Sequence, residues 1–67
     1  MTLGQKIKSL RESRGLSMDN LSKIADFEKS RLCYWENDKC QPNIYHTKKL
    51  AEAFNITIDD LLEGVDL

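Results

Sequence analysis

The sequence has little of what membrane, secreted or metal-binding proteins need. No window approaches the roughly 18 apolar residues of a membrane-spanning helix, and we expect no signal peptide because Leu3 is followed closely by Gln5, Lys6 and Lys8. There is one Pro, and there are three Gly, two Cys and one His. Cys33 and Cys40 have no second cysteine pair, and His46 cannot complete a four-ligand zinc site. We therefore expect reduced thiols, no metal or cofactor, no membrane association and a cytoplasmic location.

Groups that perform catalysis are equally scarce. The chain offers one His, no Gly-rich phosphate loop and no pair of carboxylates that marks a cleft. These are too few groups to assemble an acid, a base and a nucleophile in one site. We expect no enzymatic activity.

Positive charge is missing from one end of the chain. The formal net charge is -1, but residues 1–49 carry all ten Lys and Arg with six of the acids, which gives +4. Residues 50–67 carry five acids and no base, which gives -5. Nucleic-acid binding depends on where positive charge is concentrated, so the net charge does not exclude it. Ordinary scatter of charge in a short chain is the alternative explanation.

The length and the apolar pattern predict a small helical domain. A chain of 67 residues buries only about 60% of the surface that its unfolded form exposes, so its stability is expected to be modest or shared with a partner. Apolar residues recur at helical spacing in five short blocks, without lasting strand-like alternation. The predicted fold class is all-α, a compact bundle of five short helices, with residues 1–67 as a single domain.

Capping residues and staples mark the first two helices. The apolar face of the first helix contains Leu3, Ile7 and Leu10. Gly15 ends this helix, and Ser17 can cap the second, flanked by a hydrophobic staple of Leu16 and Leu21. The side chains expected on the buried face of the second helix are Leu21, Ile24 and Ala25.

Three further helices follow. The third begins near Lys29, after Glu28, whose charge suits a helix N-terminus although Glu caps poorly. It ends near Asn37 and buries Leu32 and Trp35. Pro42 and Asn43 open the fourth helix, whose core side is expected to contain Leu50, Ala51 and Phe54. The fifth has a cap and staple formed by Ile56, Thr57, Asp60 and Leu61, and it ends at Gly64.

The second and third helices are close neighbours in the sequence. Only three or four residues, between Ala25 and Glu28, connect them. Such a short connection is typical of a helix-turn-helix, which we place at about residues 17–37.

The order of residues resembles the lambda-repressor and Cro-like helix-turn-helix family, also called the XRE family. The likeness runs from Leu3 to Leu62 and is carried by "IKSLRESRGLS", "LSKIADFEKSRLCYWEND", "QPN" and "LAEAFNITIDDLL". It implies a bacterial or phage transcriptional regulator, expected to be a repressor, that reads the major groove of a double-stranded DNA operator with the helix at about 29–37. It also implies a buried ion pair between Arg11 and Glu36, with unrelated surface charges as the alternative.

The resemblance assigns DNA contacts to particular residues. The side chains expected to contact bases are Lys29, Ser30, Arg31 and Tyr34. Those expected to contact phosphates are Ser17, Met18, Asn37, Lys39, Asn43 and Tyr45. A solvated helix face is the alternative for the first set. For Lys48 and Lys49, keeping the fourth helix soluble explains the positive charge as well as a contact with phosphate does.

Several positions depart from the family pattern. Where relatives usually have glycine, this chain has Asp26, Asp38 and Asn55, residue types that tolerate a left-handed backbone. Met18 and Glu28 stand where relatives often have Gln and Ser, which weakens the contacts to phosphate. These departures motivate an alternative function, a helix-turn-helix fold used as a protein–protein interaction module with weak or no DNA binding.

The protein is expected to form a homodimer through its C-terminal end and to bind paired half-sites of DNA. The interface residues proposed are Ile58, Leu62, Val65 and Leu67, with closure of the core as the alternative role. A regulatory protein partner is also compatible with the family. The length fits a stand-alone Cro-like protein or the N-terminal domain of a longer one. We expect Cys33 to pack in a helix interface, Trp35 to lie in the core and His46 to be exposed.

Overall fold

The helical prediction is confirmed in a computed structural model that describes residues 1–66. Within that range the chain forms five α-helices and no strand. They are α1 (Leu3–Ser13), α2 (Met18–Ala25), α3 (Lys29–Glu36), α4 (Ile44–Phe54) and α5 (Ile58–Leu62). Residues 26–28 join α2 to α3, as a helix-turn-helix requires. No described helix is both long enough and apolar enough to cross a membrane.

Side-chain caps fix where most helices begin. Ser17 and Thr57 close capping boxes with Asn20 and Asp60, which confirms both predicted caps. Thr2 forms a third box at α1, and Asn43 caps α4 by accepting from the His46 N–H at 2.8 Å. Glu28 precedes α3 without a side-chain capping bond. The start of α3 therefore depends on packing more than on local hydrogen bonding.

The three positions that replace family glycines do adopt the left-handed backbone conformation. Asp26, Asp38 and Asn55 have φ values of 59°, 57° and 58°. Aspartate and asparagine tolerate this region better than other residues with a Cβ. The turns after α2, α3 and α4 thus follow the path that glycine would give.

One apolar cluster holds the helices together. The buried apolar residues are Ile7, Leu21, Leu32, Trp35, Leu50, Ala51, Phe54 and Leu61. The predicted core positions of α3, α4 and α5 are confirmed by this cluster. Trp35 is only 3% exposed, and its ring lies edge-on to Phe27, with ring centroids 5.0 Å apart.

Two predictions of burial are wrong. Ile24 is 57% exposed, because the buried side of α2 is formed by Leu21, Ser22 and Ala25. Ser22 can occupy that side because its hydroxyl donates to the Asp19 carbonyl at 2.9 Å, so apolar pattern alone selected the wrong residue. Cys33 is exposed rather than packed in a helix interface.

The start of α1 packs directly against the end of α3. A Cβ atom at Gly4 would overlap the carbonyl oxygen of Trp35, so this approach requires glycine. The Asp38 carboxylate accepts from the Gly4 N–H at 3.2 Å and from the Thr2 hydroxyl at 2.8 Å. These contacts hold the exit of α3 on the N-terminus of α1.

Basic side chains also join α1 to the C-terminal half. Arg14 donates to the Phe54 carbonyl at 2.9 Å and lies over the Phe54 ring. Lys6 donates to the Glu63 carbonyl at 2.7 Å, and the Met1 carbonyl accepts from the Asp66 N–H at 2.8 Å. Part of the positive charge of the N-terminal half therefore serves the fold.

Candidate nucleic-acid interface

The outward face of α3 carries all four side chains predicted to contact bases. Leu32, Trp35 and Glu36 face inward and are buried. Lys29, Ser30, Arg31 and Tyr34 are exposed, Tyr34 by 52%. Cys33 belongs to the same outward face, one helical turn after Lys29. The helical spacing from Lys29 could have revealed this position of Cys33.

A buried ion pair fixes α3 to the rest of the molecule. The Arg11 Nε lies 2.8 Å from Glu36 Oε2, and Nη2 lies 3.1 Å from Oε1. The two side chains are 11% and 2% exposed. Arg11 also donates from Nη1 to the Leu16 carbonyl at 2.9 Å. One guanidinium therefore connects α1, the turn before α2 and the end of α3, in a two-pronged geometry that lysine cannot reproduce.

The ion pair also changes the acid–base behaviour of Arg11. Hydrogen bonding to Glu36 raises the pKa of Arg11, burial of the side chain lowers it, and the nearby negative charge of Glu36 raises it further. The net effect is an increase above a value that is already high. Arg11 therefore stays charged over the whole range in which the protein would be handled.

A second ion pair joins the starts of α2 and α3. The Lys29 ammonium lies 3.3 Å from Asp19 Oδ1, and the two side chains are 56% and 63% exposed. Asp19 is the second residue of α2 and Lys29 is the first of α3. A side chain predicted to contact bases is thus held by a carboxylate that the sequence analysis did not assign to the site.

A cleft runs between α3 and the start of α4. Its volume is about 350 Å³. Ser30, Arg31 and Tyr34 of α3 and Asn43 at the start of α4 contribute to its walls. Side chains expected to contact bases therefore lie next to a residue expected to contact phosphate.

His46 forms part of this cleft, so its predicted full exposure is wrong. The residue is half-buried, and its ring centroid lies 5.2 Å from that of Trp35 and 5.3 Å from that of Tyr45. His46 is the third residue of α4, and its partial burial was not evident from sequence because Trp35 belongs to another helix. The ring cluster braces the start of α4 against α3.

Three of the predicted phosphate contacts have side chains engaged in the fold. The Ser17 hydroxyl donates to Asn20 Oδ1 at 2.7 Å, Met18 packs against the core, and Asn43 caps α4. Any phosphate contact at these positions would depend on the backbone N–H groups at the starts of α2 and α4, which favour anions.

The other three predicted phosphate contacts are exposed. Asn37 donates from Nδ2 to the Cys33 carbonyl at 2.8 Å and to Cys33 Sγ at 3.5 Å. Lys39 follows the left-handed residue at the exit of α3. Tyr45 is 57% exposed, and the Lys49 ammonium lies 5.5 Å from its ring centroid. Lys39 and Tyr45 keep donors available to a ligand.

The residues predicted to form a dimer lie on and after α5. Ile58, Leu62 and Val65 are half-buried, and Ile58 packs against the core. Leu67 lies outside the described residues.

No group of His, Cys, Asp and Glu side chains able to hold a metal occurs within residues 1–66.

Comparison with known proteins agrees with this geometry. A family model described as a helix-turn-helix domain matches residues 4–67. The chain belongs to this helix-turn-helix family. The match covers both helices of the motif and the α4–α5 segment that packs behind them.

Curated relatives of this helix-turn-helix protein are named as regulators of transcription. The chain is 30% identical over its whole length to the HTH-type transcriptional activator BcrR of Enterococcus faecalis, of which it covers 33%. It is 32% identical over 98% of its length to the HTH-type transcriptional regulator DdrOP3 of Deinococcus deserti, of which it covers 51%. The chain thus spans a third to a half of the length of these two relatives.

Among solved structures, the helix-turn-helix protein is similar to SinR, described as a master regulator for biofilm formation and crystallised in complex with DNA. The TM-score is 0.86, the identity is 29%, and the match covers 91% of this chain and 98% of that one. The likeness extends over all the elements that surround α3.

Proposed function

We propose that the protein is a transcriptional regulator that binds a specific sequence of double-stranded DNA with α3 in the major groove. The observation that carries the proposal is the arrangement of three helix starts. Lys29 at the start of α3 is joined to Asp19 of α2, and Ser30 and Tyr34 share a cleft with Asn43 at the start of α4. Base-reading and phosphate-binding groups thus surround one surface, as groove recognition requires.

Each group on this surface has a distinct role. Lys29 and Arg31 donate to the guanine acceptors, Ser30 bonds either kind of base, and Tyr34 packs on a thymine methyl or bonds a phosphate. Backbone N–H groups at the starts of α2 and α4 hold the phosphates on either side of the groove, assisted by Asn37, Lys39 and Tyr45. The phosphate contacts fix the orientation, and the α3 side chains select the sequence.

The protein acts as a homodimer on two related half-sites. One α3 touches too few bases to select a single site in a genome. Leu62 and Val65 keep part of their apolar surface exposed to a partner. Met1, which is 49% exposed, lies beside them through its backbone bond to Asp66.

Repression is the proposed effect on transcription. Occupying promoter DNA needs only the DNA-binding surface, whereas activation needs a further contact with polymerase. The site of action is the cytoplasm of a bacterial cell, where the DNA is accessible. A regulatory protein that covers α3 or the dimer surface would control binding without a cofactor.

The test is selection of bound duplexes from a random DNA pool, followed by titration of the enriched duplex at two salt concentrations. We expect a motif with two-fold symmetry and an affinity that falls steeply as salt rises, because bound phosphates release counterions. Lys29→Ala should weaken binding by about five- to a hundredfold and relax selectivity at one position of each half-site.

Lys8→Ala is the matched control. Lys8 is an exposed lysine of α1, and α1 packs on the inner side of α3 through Gly4. Its removal takes away the same charge and should leave the selected position unchanged. Negligible binding to any duplex at low salt would reject DNA recognition and favour the protein-interaction module instead.

A further inference from the structure

We infer that Asp19 determines specificity by positioning Lys29 for one base edge; the inference rests on the proposed DNA-binding function. The two charged groups are 3.3 Å apart. They connect α2 and α3 across the turn of the motif. A carboxylate repels the phosphate backbone of DNA. Its presence at the start of α2, where the proposed function places a phosphate contact, therefore needs an explanation.

Stability does not account for the pair. Both side chains are more than half exposed. An ion pair of this kind gains little in water, because solvent screening and the loss of side-chain freedom offset the attraction. Asp19 is also unnecessary for capping, since Ser17 and Asn20 already complete the box at the start of α2. Its charge in the first turn favours the N-terminus of α2, but that effect does not need the contact with Lys29.

Lysine by itself discriminates poorly between ligands on DNA. Its ammonium is a compact charge on a flexible stem with three donors, so it reaches a phosphate as readily as a base. A carboxylate beside the ammonium limits both the movement of the lysine and its access to phosphate. The charge of Asp19 draws the ammonium toward the start of α2, and the same negative charge disfavours the position next to a phosphate. In this position the ammonium can donate to the acceptors of a guanine, O6 and N7.

The pair is therefore expected to lower the affinity for DNA of any sequence and to raise the selectivity at one base pair. Asp19 places a negative charge near DNA, which weakens binding to every sequence. It strengthens discrimination only at the base pair that Lys29 reads. No second acidic partner of Lys29 occurs within residues 1–66, so the effect should disappear when Asp19 loses its charge.

The experiment is a double-mutant cycle of Asp19→Asn and Lys29→Met on the enriched duplex and on duplexes changed at single positions. Wild type should prefer the correct base at the Lys29 position by about five- to a hundredfold. Asp19→Asn should reduce that preference by at least about fivefold while strengthening binding to unrelated duplexes by about two- to fivefold. In the Lys29→Met background, Asp19→Asn should leave the preference unchanged.

Asp26→Asn is the matched control. Asp26 is an exposed carboxylate in the turn before α3, and asparagine tolerates its left-handed backbone. This variant removes the same charge without touching Lys29, so it should strengthen binding to all duplexes and keep the preference at the Lys29 position. Asp19→Glu retains a carboxylate and should recover part of that preference.

The inference is overturned if Asp19→Asn keeps the wild-type preference, or if Asp26→Asn loses as much of it. Thermal unfolding of each variant, followed by circular dichroism, separates these results from a loss of folded protein. If Asp19→Asn unfolds, the comparison of Asp19→Glu with wild type decides. Wild-type protein that enriches no sequence would overturn both this inference and the proposed function, whereas an unchanged preference with specific binding would overturn the inference alone.

Discussion

At the residue scale, a single guanidinium holds α3 in place. Arg11 reaches both oxygens of Glu36 and the carbonyl of Leu16. A buried pair adds little net stability compared with apolar packing, because both charges lose water. Losing one partner is far more costly, since the other charge remains buried alone. The pair therefore serves mainly to fix the position of α3.

Arg11→Ala should lower the free energy of unfolding by about 3 to 5 kcal/mol, since Glu36 then stays buried without a partner. A domain of this size has a total stability of only about 3 to 10 kcal/mol. Urea unfolding followed by circular dichroism measures the change. The pKa of Arg11 is raised in the folded protein, so its contribution to stability is fully present below the unfolded-state pKa and is lost only as the pH rises above that value. The loss of stability caused by Arg11→Ala should therefore be the same at pH 6 and pH 8.

Arg31→Ala is the control for this prediction. Arg31 is an exposed arginine of α3, and its removal should change stability by about 0.5 kcal/mol or less. The double variant Arg11→Met with Glu36→Leu removes both charges and should recover much of the loss. Equal effects of Arg11→Ala and Arg31→Ala would contradict a structural role of the pair.

At the scale of elements, Asp26 and Asp38 share one backbone conformation but differ in the contacts that their side chains make. Both residues have a left-handed backbone after a helix. The Asp38 carboxylate also accepts bonds from Gly4 and Thr2 at the start of α1. The first turn of α1 has no acidic residue of its own, so Asp38 supplies the negative charge that favours a helix N-terminus. Asp26 makes no comparable contact among the described hydrogen bonds.

Glycine should therefore have opposite effects at these two positions. Asp26→Gly relieves the backbone strain and should stabilise the protein by up to about 1 kcal/mol. Asp38→Gly relieves the same strain but removes charge-assisted bonds, so it should destabilise the protein by about 1 to 2 kcal/mol. Thermal unfolding of both variants in one buffer gives the comparison.

Asp38→Asn provides the check on this interpretation. Asparagine keeps the backbone preference and an acceptor oxygen but loses the charge, so its stability should fall between wild type and Asp38→Gly. A shift of the same sign and size for Asp26→Gly and Asp38→Gly would mean that the contacts with α1 contribute nothing.

At the scale of the whole molecule, the small core leaves apolar surface at the end of α5. The described chain has a radius of gyration of 10.4 Å, and domains of this size bury a limited share of their surface. Ile58 packs inward, whereas Leu62 and Val65 are half-buried at the edge. None of these three residues lines the cleft beside α3, so the proposed dimer contact would leave the side chains of that cleft free.

Leu62→Lys should therefore prevent dimer formation. A lysine at this edge places a charge where two apolar surfaces would meet, at a cost that a small interface cannot offset. Sedimentation equilibrium should show a dimer for wild type and a monomer for the variant. Binding to a duplex with two half-sites should weaken, while binding to one half-site should stay the same.

Ile24→Lys tests whether any exposed apolar residue would give this result. Ile24 is 57% exposed on α2, and its replacement should leave the dimer intact. Wild-type protein that remains a monomer at all concentrations and selects a single half-site would rule out the proposed interface.

The sequence alone determined the features that depend on neighbours three or four residues apart. Caps at Ser17 and Thr57 and the three left-handed turns follow from short-range hydrogen bonding and local sterics. The helix boundaries and the short connection of the motif follow from these signals. The outward position of Lys29 and Tyr34 then follows from helical spacing once Leu32 and Trp35 are assigned to the core.

Apart from the Arg11–Glu36 pair, which the family resemblance implied, only the tertiary structure decided which side chains meet across helices. The Asp38 bond to Gly4 joins residues 34 positions apart, and the contacts of His46 and Asp19 come from other helices. The burial of Ser22 in place of Ile24 likewise depends on how α2 is rotated against its neighbours. Such contacts depend on the packing of whole helices, and local patterns carry no information about the distance between two side chains on different helices.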